Sequence, residues 1–204
     1  MSSDLRDHYR SLLMDHGDDA KAVQYSDRAS QYRRFEVLAE AAPDLGSVVD
    51  LGCGLGHFLT FLRERGFSGR YLGLETVPEF VQRARERNTS DRLAEFMEFD
   101  LDTRDYPAGF DTHVVCGVFN NRMPDNEGFM RRVLQRSFAT AGRRIAFNAM
   151  STYVDFQAPD LYYTNPCEVL DFCKRELDRR VVLRHEYLVR DDRPPFEYTM
   201  YVYK

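Results

Sequence analysis

The stretch Val48-Val49-Asp50-Leu51-Gly52-Cys53-Gly54-Leu55-Gly56-His57-Phe58 constrains the fold more than any other part of the chain. A short apolar run enters three glycines at alternate positions and then a segment with helical spacing, the pattern of a strand, a tight turn and a helix. Glycine at such a turn lets the backbone pass close to a ligand, and the free amides at the start of the helix favour electron-rich groups there. The third glycine follows the second by two residues rather than three, so the turn is not the dinucleotide fingerprint. No Gly-Lys-Ser/Thr follows, which excludes a Walker loop.

The surrounding chain alternates in the same sense. Helical spacing over 5 to 16 and 26 to 42, ended by Pro43, predicts two helices before the first strand. Apolar runs at 47–51, 71–74, 95–99, 112–119 and 144–147 are separated by helical patterns at 57–65, 78–87 and 126–139, and such alternation implies a parallel sheet covered by helices on both faces. Thr76-Val77-Pro78-Glu79 and Asn165-Pro166-Cys167-Glu168 each place a capping side chain three residues before a carboxylate, with Pro in the first turn. The β-rich runs 181–189, which includes His185, and 196–203, joined by 190–195, predict a closing antiparallel hairpin. With 204 residues, 43% hydrophobic, and no linker or repeat, one domain is expected: a helical cap over 1–42, a ligand-binding core over 43–150, and an acceptor-side segment with the hairpin over 151–204.

Charge and cysteine usage exclude several functions. Twenty-eight basic against 33 acidic residues give −5, and the arginines are interleaved with acids rather than pooled, so no basic stripe for nucleic acid is expected. No apolar run approaches the roughly 20 residues of a membrane span and the N-terminus has no secretory pattern, which predicts a cytoplasmic protein with no membrane partner. Cys53, Cys116, Cys167 and Cys173 are spaced 63, 51 and 6 residues apart, matching neither a zinc site nor a disulfide framework, and no metal is expected.

The run Tyr71-Leu72-Gly73-Leu74-Glu75 ends in an acid 19 residues past the last glycine. A carboxylate at the tip of the second strand can accept both hydroxyls of a ribose, so turn and acid together predict a nucleoside ligand. With these residues the chain resembles the class I S-adenosylmethionine (SAM) dependent methyltransferases, in order from about residue 20 to 150. The resemblance implies an α/β, doubly wound, mostly parallel seven-stranded sheet (Rossmann-like), with the closing hairpin supplying the reversed strand and two helices at the N-terminus. It implies SAM as cofactor, with Asp50, Gly52, Cys53 and Gly54 at its methionine end, Glu75 on the ribose, and Thr76 and Val77 beside the adenine. Glu98-Phe99-Asp100-Leu101 resembles the third motif, where Asp100 accepts from the adenine amino group next to Leu101. The segment from Phe110 through Cys116 and Gly117 to Asn120 resembles the fourth strand, whose end faces the reactive methyl. Tyr25-x-x-x-Ala29-x-x-Tyr32, with Arg28 between, is similar to a helix element that covers the cofactor in small-molecule members.

Where an Asn/Asp-Pro-Pro-aromatic segment marks amino-directed members acting on nucleic acid or protein, this chain reads Asn120-Asn121-Arg122-Met123-Pro124, which points to a small-molecule acceptor instead. Residues 151 to 175 resemble small bacterial members of the family. Methyl transfer needs in-line placement of the nucleophile and loss of its proton, and little else from the protein. On that reading Asn120 orients the acceptor, Tyr153 and His57 are candidates for handling its proton, and Arg33, Asn121, Arg122, Tyr162 and Tyr163 border it. Arg28, Arg33 and Arg34 are alternatives for holding the methionine carboxylate or an acidic acceptor. The expected reaction is methyl transfer to oxygen or nitrogen of a metabolite, against two alternatives: non-methyl chemistry with a SAM derivative, or a binding module without turnover.

Overall fold

The computed structural model describes residues 3–191 and 196–204. Helix α1 (Ser3–His16), a 3-10 turn (Ala20–Val23) and α2 (Arg28–Ala39) precede the sheet. Strands β1 (Val48–Leu51), β2 (Tyr71–Glu75), β3 (Ala94–Glu98), β4 (Thr112–Val115) and β5 (Arg144–Ser151) alternate with α3 (His57–Glu64), α4 (Pro78–Arg87) and α5 (Asn126–Thr140). A two-residue β6 (Tyr163–Thr164), α6 (Pro166–Phe172) with a following π turn, β7 (Val181–Arg184) and β8 (Glu197–Tyr203) complete the chain. The sheet order is β3-β2-β1-β4-β5-β8-β7, parallel through β5, with β8 antiparallel to both β5 and β7.

Both faces of the central strands are buried, so their residues divide by parity. Val48, Tyr71, Val114 and Ala146 pack against α2, α3 and α4 through Phe35, Leu38, Phe58, Phe61, Val81 and Ala84. Val49, Leu51, Leu72, Leu74 and Phe147 pack against α5 and α6 through Met130, Val133, Leu134, Val169 and Phe172. Helices on both sides hold the strand tips rigid, and the loops leaving those tips are free to form a site.

Four expectations need correction. The apolar run 112–119 is strand only to Val115, because Gly117 has φ +73° and its N–H turns to the Asn148 side chain at 2.8 Å. β5 outlasts β4 and runs to Ser151; its edge beyond Phe147 is taken by β6, an eighth strand that the sequence reading lacked. The first arm of the hairpin ends at Arg184, so His185 follows the strand, and Tyr187 and Val189 leave the sheet to pack on Val37 of α2. The joining residues 192–195 lie outside the described residues. Asn165 caps α6 as expected, accepting from Cys167 N at 2.9 Å, whereas α4 is preceded by Val77 with no side-chain cap from Thr76.

Candidate active site

A cavity of about 1120 Å³ lies at the C-terminal ends of β1, β2, β4 and β5. Single-ligand pockets run from roughly 300 to 1,000 Å³, so there is room for a nucleoside-sized molecule and a small second one. Asp50, Gly52, Cys53 and Gly54 from the β1 turn, Glu75 and Thr76 from β2, and Asp100 and Leu101 after β3 all line it, as do Cys116, Gly117, Asn120 and Asn121 after β4.

The glycine turn is drawn tight. Gly52 N and Cys53 N donate to Leu74 O at 2.7 and 3.1 Å, and Gly52 has φ +75°. A β-carbon on Gly52 would overlap Val118 Cγ2, so close approach as well as conformation calls for glycine.

Glu75 is turned into this turn. Its Oε2 accepts from Gly54 N at 2.9 Å, and its Oε1 accepts from Thr76 N at 2.7 Å and Val77 N at 3.0 Å. Burial pushes its carboxyl up, and the three amide hydrogen bonds pull against that. A carboxylate offers about four lone-pair sites, so one remains for a ligand rather than the two that a pair of ribose hydroxyls would use. Those same bonds cover the amides entering α4, the task expected of Thr76. Asp50 accepts from the Tyr71 hydroxyl beneath the turn. Burial pushes Asp50 up to about 7; the Tyr71 bond opposes the rise and the Glu75 charge adds to it. Asp100 uses Oδ1 on Asp102 N at 2.9 Å and lines the cavity.

A buried polar chain underlies the other half of the cavity. Arg34 donates to Glu197 from Nε at 2.9 and 2.8 Å and from Nη2 at 2.6 Å, and from Nη1 to Ser30 O at 2.9 Å. Asn148 Nδ2 donates to Glu197 Oε2 at 3.1 Å, while Asn148 Oδ1 accepts from Gly117 N. Burial works against the Arg34 charge, yet the Glu197 carboxylate more than offsets it and the guanidinium is held firmly charged. The guanidinium lies 5.0 Å from the Tyr25 ring centroid, and the Tyr25 hydroxyl is 3.3 Å from Cys116 Sγ. This chain of bonds ties α2 and β8 to the turn after β4, fixing where Cys116, Gly117 and Asn120 stand.

Asn120 lines the cavity five residues beyond the end of β4, and its Oδ1 is buried with no hydrogen-bond partner among the described residues. An unpaired buried amide oxygen costs about 1–3 kcal/mol, which a bound donor would recover. Asn121, in contrast, is spent on α1 and the segment after it: Nδ2 donates to Tyr9 Oη at 2.8 Å and Gln24 Oε1 at 2.9 Å.

Of the other sequence-derived candidates, only Tyr163 and His57 line the cavity. Arg28 and Tyr32 face away from the cavity, both bonded to Glu64 at 3.0 and 3.1 Å, because the helical turn of α2 that aims Arg34 inward aims them at α3. Val77 is buried in the small core with Leu55 and Phe80. Arg33 binds Glu36 and Leu188 O, and Arg122 binds the carbonyls of Pro159 and Leu161, bracing the loop rather than the cavity. Tyr153 is 59% exposed, with its hydroxyl 3.8 Å from Cys167 Sγ, and neither it nor Tyr162 lines the cavity. Tyr163 does, accepting from Ala158 N at 3.1 Å. His57 lines the cavity but is buried, and both ring nitrogens are engaged: Gln31 Nε2 at 3.1 Å from Nδ1 and Asp18 O at 3.0 Å from Nε2. Burial, aided by Arg87, lowers its pKa to about 4, which unfits it as a base at neutral pH. Glu197 and Asn148 escaped the sequence reading, although a charged residue inside an otherwise apolar strand run is a visible signal.

An open parallel sheet with a glycine turn after β1, an acid ending β2 and a cavity over both is the architecture of a nucleoside-binding α/β enzyme. A family model described as a methyltransferase domain matches residues 44–170. Rv1506c of Mycobacterium tuberculosis, named as a methyltransferase, is 35% identical over 152 residues, covering 72% of this chain and 89% of that protein. The magnesium protoporphyrin IX methyltransferase of Synechocystis PCC 6803 with bound SAM superposes at TM-score 0.67, with 16% identity, over 99% of this chain and 92% of that one. DhpI in complex with S-adenosylhomocysteine (SAH) gives TM-score 0.67, with 17% identity, over 96% and 93%. The chain belongs to the class I SAM-dependent methyltransferases and uses SAM as its cofactor. Among the described residues, no helix is long and apolar enough to cross a membrane.

Proposed function

We propose that this methyltransferase transfers the methyl group of SAM to an oxygen or nitrogen of a small metabolite in the cytoplasm, without a nucleic-acid or membrane partner. The observation that carries this reading is Asn120 Oδ1, buried without a hydrogen-bond partner among the described residues in a side chain that lines the cavity. Asp50, Gly52, Cys53 and Gly54 would hold the methionine end, Glu75 and Thr76 the ribose side, and Asp100 and Leu101 the adenine. Cys116 and Gly117, with Tyr25, would border the sulfonium, which supplies an electrophilic methyl when bound. The chain's own part is then geometric: the Arg34–Glu197–Asn148 network fixes the turn after β4, and Asn120 orients the nucleophile along the line of transfer. Arg28, Tyr32 and Val77 would not touch the cofactor, nor Arg33, Arg122, Tyr153 and Tyr162 the acceptor, since all seven lie outside the cavity.

Asn120→Ala tests the reading. Turnover should fall more than tenfold while SAM affinity moves by less than about threefold, the pattern of an interaction made with the acceptor or in the transition state. Unchanged turnover with normal SAM binding would put the acceptor elsewhere.

A further inference from the structure

Away from the glycine turn the cavity is lined by apolar side chains and Asn120, while the charged side chains of Asp125, Asp155, Asp160 and Arg190 that also border it are exposed to solvent. Phe129, Met150, Phe156, Tyr163 and Phe196 line it, and Phe156, on the loop between β5 and β6, is 75% exposed although it borders the cavity. A large exposed aromatic at the mouth of an apolar chamber is suited to close over a flat partner. Of the buried charged groups that line the cavity among the described residues, Asp50 and Glu75 belong to the glycine turn, and Arg34 and Glu197 are consumed by each other, by Ser30 and by Asn148. A carboxylate or an ammonium entering this half would therefore give up its hydration without gaining a buried counter-ion.

We propose that the methyl acceptor is a neutral aromatic hydroxyl compound, its hydroxyl on the Asn120 amide and its ring among Phe129, Met150, Phe156 and Phe196. The inference rests on the methyl-transfer reading above. A hydroxyl both donates and accepts, so it satisfies the Asn120 amide whichever way the group is turned; an ammonium only donates and a carboxylate only accepts. The hydroxyl must also shed its proton with little help. His57 has both nitrogens engaged and Glu197 is spent on Arg34, while burial pushes the Cys116 thiol up to about 12. A phenol ionises near pH 10 by itself, far more readily than an aliphatic alcohol, and so needs no strong base beside it. In the step, the phenol oxygen bonds to the methyl carbon as the S–C pair returns to sulfur, leaving a neutral thioether, and the hydroxyl proton passes to water at the mouth.

Three probes with one ring and different heads decide the matter: 2-naphthol, 2-naphthoate and 2-naphthylmethylammonium, titrated into protein saturated with SAH. SAH binding is measured first, so a failure there strikes the methyl-transfer reading and takes this inference with it. With SAH bound, 2-naphthol should bind at least tenfold more tightly than either ion. Asn120→Ala should weaken 2-naphthol at least fivefold with SAH affinity kept within threefold. Phe156→Ala, a change at an exposed side chain that leaves the core intact, should weaken it at least threefold. Equal or tighter binding of either ion, no binding of 2-naphthol to the SAH complex, or indifference of 2-naphthol to both variants would each overturn the proposal.

Discussion

Glu75 serves the fold with one carboxylate and, on the function proposed above, the ligand as well. Its bonds to the amides of Gly54, Thr76 and Val77 staple the β1 turn to the start of α4, and one lone-pair site is left for a hydroxyl. Glu75→Ala should accordingly fail twice: SAM affinity should drop by about 1.5 to 3 kcal/mol in calorimetry, and unfolding by denaturant should show a loss of similar order, because buried amides lose their acceptor. A loss of affinity with stability untouched would mean that the amides find other partners. The acid itself was legible from its place at the end of an apolar run. Its inward turn was not, since that depends on three amides converging from two separate loops. The same limit applies around α2: the sequence spacing put Tyr25, Arg28 and Tyr32 together, yet Tyr25 precedes the helix and lines the cavity, while α2 turns Arg28 and Tyr32 toward Glu64.

Elements were legible where hydrophobic periodicity is strong, as in α3, α5 and the central strands, and were missed where pairing is non-local. β6 is two residues long and exists because β4 quits the sheet at Val115 and leaves an edge of β5 to be filled. That exchange carries the loop with Val154, Phe156 and Ala158 over the cavity. At the other end, α1 is anchored to the body by the Tyr9–Gln24–Asn121 cluster, the edge contact of Tyr9 with Phe80, and an exposed Arg10–Glu79 pair at 2.8 Å. Gln24 is the one non-glycine residue with positive φ, at +63°, among those described. Because α1 rests on few buried contacts and Leu5 and Tyr9 line the cavity, its amides should exchange hydrogen well before those of α3 and slow markedly when SAH binds. Exchange as slow as in α3 without ligand would show that α1 is part of the rigid body.

For the whole molecule, the buried acid under the glycine turn links pH to both stability and cofactor binding. Burial pushes the Asp50 carboxyl up to about 7, above its ordinary 3.8. Between those values the native state keeps a proton that the unfolded chain has lost, so the Asp50 contribution to stability declines as pH rises through this window. A cationic ligand above the turn favours the ionised carboxylate. SAM binding should therefore strengthen as pH rises toward and past 7 and release a proton below it, and Asp50→Asn should remove this dependence; titrations in buffers of different ionisation heat read the proton directly. Taken across its length, the sequence alone determined the doubly wound sheet, the glycine turn after β1 and the acids at the end of β2 and just after β3, because periodicity, glycine spacing and strand ends are local in the chain. Tertiary structure decided the rest. Arg34 and Glu197 lie 163 positions apart, and only folding brings them together as a pair; only packing engages both nitrogens of His57; and only the turn after β4 leaves Asn120 with a buried oxygen and no partner among the described residues, since burial and pairing depend on neighbours supplied by distant segments.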